Sequence, residues 1–197
     1  QIEKAFVDPI TDAERERIAS AIAGVNYDDI VFTGSFERVQ QFYETSEMSD
    51  GLTVVPPTRE KVEYYLQYCT YNATDIVNSR NGEVVDVPPA NRKILAYQVA
   101  ANAIMAGCPP EYMPICMGIV RLFSNGNFYK SLASTHGWTP YVLVNGPIAR
   151  QLGLSSQDGM INEEANKVLG RFISLAMLNL AGYKIKENRM GTFGYLQ

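Results

Sequence analysis

Basic residues are few and unclustered in this chain of 197 residues: 17 Lys and Arg stand against 21 Asp and Glu, a formal net charge of −4. A surface that grips nucleic-acid phosphates needs grouped Lys and Arg, so that class of partner is excluded. Histidine and tryptophan occur once each, as His136 and Trp138, and cysteine three times, as Cys69, Cys108 and Cys116. An odd number of cysteines without a CxxC spacing is a poor disulfide framework, which fits a reducing, cytoplasmic compartment. One histidine and three cysteines so spaced do not make a structural zinc site, so no metal is expected of this chain alone. No apolar run reaches the roughly 18–20 residues of a membrane span, and the first residues lack a basic stretch followed by an apolar one, so a soluble protein without a membrane partner is expected. Neither GxGxxG nor GxxxxGK[ST] occurs; no nucleotide cofactor is indicated and the cofactor stays unknown. The chain starts at Gln1 without a methionine and stops at "GTFGYLQ", which reads as cut at both ends.

Hydrophobic residues make up 46% of the chain and charged ones 19%, ordinary values for a folded globular protein. A chain of this length buries roughly 70% of its unfolded surface, enough for one core or for a core with an arm. The charges favour the second option. Of the 21 acids, 13 fall in residues 1–63, whereas "ILAYQVAANAIMAGCPPEYMPICMGIVRLF" (94–123) holds one acid, Glu111, and one base, Arg121. Polarity falls after "SDGLTVVPPT" (49–58), where Asp50-Gly51 favours a turn and Pro56-Pro57 forbids a helix. This divides the chain into an N-terminal helical arm, 1–50, and a core domain, 51–197.

In the arm, Thr11 and Glu14 have capping-box spacing and predict a helix near 12–24; Phe36, Val39, Phe42 and Tyr43 predict a second near 36–45. In the core, Thr58 caps a helix running to about Cys69. "EVVDV" (83–87) reads as a short strand ended by Pro88-Pro89. A long helix, 92–106, ends at Gly107, the residue type that best accepts a left-handed helix end. Another runs over about 111–123, with Pro114 tolerated in its first turn. "YVLVN" (141–145) is continuously apolar and predicts a strand buried on both faces. Helices over 147–152 and 163–181 complete the chain. The expected class is α+β or α/β, helix-rich, with a small, largely buried sheet.

Two stretches offer chemistry. Cys108 and Glu111 sit between two helices, near the N-terminus of the second, where free N–H groups and the helix dipole lower a thiol pKa and favour a nucleophile. The alternative is that Cys108 packs as a small apolar group and Glu111 is a helix-start carboxylate. His136 lies in a loop ahead of the predicted strand, where an imidazole serves as acid or base, or simply as a polar surface group. Asn145-Gly146-Pro147 ends that strand, and Asn145 can bind a carbonyl or carboxylate there or cap the following helix. The catalytic candidates are therefore His136, Cys108 and Glu111; the substrate-binding candidates are Asn145, Thr135, Trp138 and Asn102. A strand of this length holds His136 and Asn145 about 25 Å or more apart at ~3.3 Å per residue. One pocket would use both only if the loop folds back or a second chain completes it.

"DGLTVVPPTREKVEYYL", "VAANAIMAGCPPEYMPICMGIV", "STHGWTPYVLVNGPIARQLG" and "NKVLGRFISLAMLNLAG" follow one another over about residues 50–185. Together they resemble the C-terminal module that accompanies UGSC-type (seleno)protein domains. A UGSC domain carries a selenocysteine or cysteine beside a second cysteine in a Gly-Ser turn, and this chain has no such tetrapeptide. The resemblance therefore implies a subunit of an oligomer whose thiol or selenol domain belongs to another polypeptide. Cys108, Glu111, His136 and Asn145 fall in the resembling blocks. Around His136 the chain departs from the family pattern, in which proline follows the histidine; here Gly137, Trp138 and Thr139 intervene. Residues 1–48 carry no resemblance and read as an arm that embraces a partner.

Three functions follow as expectations. The first is a subunit of a hetero-oligomeric enzyme with thiol-dependent or redox chemistry on a small polar metabolite. The second is a redox-neutral lyase or hydratase subunit. The third is a non-catalytic scaffold that completes a partner's active site, which the 12 tyrosines favour because tyrosine is enriched at interfaces.

Overall fold

The computed structural model describes residues 26–80, 83–125, 127–128, 139–160, 163–185 and 187–189, with backbone alone at 79 and 80. The chain divides into two compact units, Gln1–Thr53 and Val54–Gln197. In the first, helix α1 (Phe36–Thr45) forms where the aromatic stripe predicts it, and none of its residues is fully buried. Phe32 stacks on Phe42 with ring centroids 4.8 Å apart, and Phe42 meets Tyr43 edge-on at 5.7 Å. The predicted helix near 12–24 lies outside the described residues.

The second unit is helical. Helix α2 (Arg59–Leu66) starts at Thr58, whose hydroxyl accepts the Lys61 N–H. Strands β1 (Ser79–Arg80) and β2 (Glu83–Val84) pair antiparallel over two residues each. Helix α3 (Ala96–Ala106) is the hub and packs against α2, against α4 (Met113–Phe123) and against α6 (Glu164–Ala176). Its alanines 96, 100 and 103 are at most 1% exposed, and such small side chains let neighbouring helices approach closely. Between α3 and α4 lies a single 3-10 turn, Pro110–Tyr112. A short helix, α5 (Pro147–Gln151), precedes α6, and α6 passes into a π-helical turn, Met177–Ala181.

Two glycines end helices as only glycine does cheaply. Gly107 closes α3 at φ 85°, and Gly182 closes the π turn at φ 82°. At Gly182 a Cβ would also fall 2.6 Å from that of Ala90, whose N–H donates to the Ala181 carbonyl at 3.1 Å. The 86–95 loop is held from inside by Asn78, which is fully buried. Its amide donates to the Val85 and Arg92 carbonyls, and its carbonyl accepts the Ile94 N–H at 2.6 Å. The Pro88-Pro89 bond in this loop is cis.

The described residues correct two expectations. The small, largely buried sheet is not there: the single named ladder is two residues deep, with Glu83 and Val84 exposed, and helices supply the core. Residues 141–145 are not a buried strand. They run without turn or bend, Tyr141 is 83% and Leu143 73% exposed, and no described strand lies beside them to receive their backbone. An apolar run predicts burial only if a sheet exists to take it, and this core is built from helix faces instead. Helix α3 also starts at Ala96 rather than 92, because Arg92 bridges to Val87 and Leu95 to Ile76 before the helix begins.

Candidate functional site

The junction between α3 and α4 is fixed from three sides. After Gly107 turns the chain, the Cys108 N–H bonds back to the Ala103 carbonyl at 2.9 Å. The Cys108 carbonyl accepts the Tyr65 hydroxyl from α2 at 2.7 Å, and the Tyr112 hydroxyl donates to the Leu152 carbonyl beyond α5 at 2.6 Å. On the far side, Asn166 of α6 clamps Ser155: its carbonyl accepts the Ser155 N–H at 3.0 Å and its amide donates to the Ser155 carbonyl at 2.8 Å. These ties bring the turn, the loop after α5 and the start of α6 together around a cleft of about 370 Å³. Pro109, Tyr112 and Gly153 line one part, and Glu163, Glu164, Ala165 and Val168 the other. That volume lies at the low end for small-ligand sites. No lining residue is basic, and the carboxylates of two exposed glutamates mark its rim.

Cys108 stands next to the cleft in sequence and behind its wall in space. It is 1% exposed, and its thiol donates to the carbonyl of Val168 at 3.4 Å. Burial pushes the thiol of Cys116 well up, and Cys108 facing it adds to the rise, so Cys116 is protonated at neutral pH. Burial likewise raises the hydroxyls of Tyr65 and Tyr112, with the negative charges available to Cys108 and Glu111 contributing in the same direction. Glu111 itself is exposed in the 3-10 turn. Cys108, Glu111, Tyr65 and Tyr112 thus form one electrostatic neighbourhood at the junction.

The other candidates do not gather there. Asn102 is 5% exposed and its amide is engaged within the protein: its carbonyl accepts from Asn179 at 2.8 Å and its nitrogen donates to the Gln98 carbonyl at 2.9 Å. It fastens α3 to the π-helical turn and is not among the cleft's lining residues. Asn145 is exposed one residue before Gly146, the residue that opens α5. His136, Thr135 and Trp138 lie outside the described residues. Among the described residues no group of three or more His, Cys, Asp and Glu is arranged to hold a metal.

Sequence reasoning passed over Tyr65, Tyr112, Gly153, Glu163 and Glu164. Gly153 and the two glutamates were legible as a helix end and a helix start, but nothing local says that those two ends share a cleft. The Tyr65–Cys108 and Tyr112–Leu152 bonds span 43 and 40 residues, beyond the reach of any periodicity. Compared with protein families, curated proteins and solved structures, the chain finds no match.

Proposed function

We propose that this chain is one subunit of a hetero-oligomeric enzyme that holds a small polar metabolite in the cleft beside Cys108, while the reacting thiol or selenol comes from another polypeptide. One observation carries the reading. Pro109 and Tyr112, Gly153, and Val168 come from three separated blocks of the UGSC-associated resemblance, and all of them line the same cleft. Glu111, at the same junction, is the second proton carrier in this reading, and His136 is the acid or base. The burial of Cys108 and its hydrogen bond to Val168 favour a partner's thiol as nucleophile over this chain's own. Two rim carboxylates and no basic lining residue favour a neutral or cationic metabolite over a carboxylate-bearing one.

The scaffold reading is kept by a different observation. Residues 141–144 are apolar and partly uncovered, as a surface that completes a partner's core would be.

The test is turnover of a pool of small polar metabolites, read by mass spectrometry. The chain alone is compared with its complex with a UGSC-type thiol or selenol protein co-expressed with it. The complex alone is expected to turn over a metabolite, and His136→Ala in the complex to abolish that turnover. Turnover by the isolated chain contradicts the subunit reading, and full activity of the His136→Ala complex favours the scaffold.

A further inference from the structure

We propose that Asn145 is a site of spontaneous deamidation, which puts a negative charge into residues 139–149, a stretch that carries none. The inference goes beyond the enzymatic reading and does not rest on it. The backbone nitrogen of Gly146 attacks the side-chain amide carbon of Asn145 and forms a C–N bond that closes a succinimide ring. The amide nitrogen leaves as ammonia, taking the proton that the Gly146 nitrogen gives up. Water then opens the ring at either of its carbonyls. One opening leaves aspartate, and the other leaves isoaspartate, whose main chain runs through the former side chain. An amide and a water thus become a carboxylate and an ammonium ion, and no oxidant, reductant or metal takes part.

The reacting pair is written in the sequence, and the fold selects among its copies. Asn-Gly occurs three times, at 81–82, 125–126 and 145–146. Glycine favours the reaction because it has no Cβ to shield its nitrogen and the least resistance to reorienting its backbone. Residues 81 and 82 lie outside the described residues. Asn125, just past the end of α4, is restrained: its side-chain carbonyl accepts the Asn127 N–H and its own N–H donates to the Leu122 carbonyl, both at 3.0 Å. Asn145 has the opposite setting. It and Gly146 are exposed on chain that is neither helix nor strand, and nothing lies within 4 Å of where a Cβ on Gly146 would stand. Helix α5 draws on the Gly146 carbonyl, which accepts the Ala149 N–H at 3.2 Å. The Gly146 N–H therefore turns toward the Asn145 side chain without giving up a bond of α5. Water, the second reactant, reaches both residues.

The test is peptide mapping by mass spectrometry after the folded full chain has stood for days at mildly alkaline pH in water enriched in heavy oxygen. The expected result is that the peptide spanning Asn145 takes up a solvent oxygen and appears in both aspartyl and isoaspartyl forms. Conversion at Asn145 runs about fivefold faster than at Asn125, the factor imposed by a side-chain hydrogen bond that must break first. In urea, where both sites lose the fold, the two rates converge. Asn145→Gln, at an exposed position, removes the isoaspartyl product at 145 and leaves conversion at Asn125 unchanged. Retention of the amide at 145, equal rates at 145 and 125 in the folded chain, rates that stay apart in urea, or aspartate as the sole product would each overturn the proposal.

Discussion

Asn78 shows how much one buried amide can hold. Three backbone groups, from Val85, Arg92 and Ile94, bond to its side chain, which is itself fully buried. Asn78→Leu keeps the shape and takes the bonding side chain from the Val85 carbonyl and the Ile94 N–H, while the Arg92 carbonyl keeps the Val87 N–H, so it is expected to cost about 2 kcal/mol or more, read as a lower urea midpoint at unchanged slope. A loss under about 1 kcal/mol would mean that the loop re-bonds elsewhere. Cys116 supplies a pH dependence. Burial raises its folded pKa well above the ordinary thiol value of 9.0, so its contribution to stability is intact below pH 9 and is lost as pH rises from there toward the folded value. Urea unfolding at pH 7 and at higher pH should therefore show a decline that is smaller in Cys116→Ala. Cys116 lies in the middle of α4 and is fully buried. Nothing in the sequence marks Asn78, because polar residues are rarely buried and its three partners lie on a loop without periodicity.

Elements were legible where their ends carry chemistry. Thr58, Gly107 and Pro147 each sit at the helix boundary that their type predicts, since caps act through adjacent backbone groups. Residues 141–145 misled because strand propensity is a statement about a pleated, covered surface, and the cover is supplied by something outside the segment. The cleft belongs to this scale too, as it depends on how α6 and the loop after α5 are fastened. Asn166→Ala removes both bonds to Ser155. It is expected to cost about 1–2 kcal/mol and to speed hydrogen exchange at the Ser155 amide, while exchange in the centre of α3 is unchanged. Gly182→Ala is expected to be worse, because the added methyl meets Ala90 at a backbone conformation that alanine resists; the variant should melt many degrees lower.

At the scale of the molecule, the helix-rich character was readable from the long apolar periodicities, and no described helix is long and apolar enough to cross a membrane. The place of the candidate cleft was readable in part. Cys108 and Glu111 were picked out by their place between two helices, and that junction does border a cleft. Its opposite wall comes from residues some 45 to 60 positions later, which are tied to it by tertiary bonds from Tyr112, Asn166 and Cys108. The central claim is that this cleft works with a thiol from another chain. It is tested most directly by removing Cys108 from the assembled complex and measuring turnover per folded complex. The account predicts that Cys108→Ala retains most of the activity and that replacing the partner's cysteine or selenocysteine abolishes it. Loss of activity in Cys108→Ala, with assembly and folding intact, would contradict it.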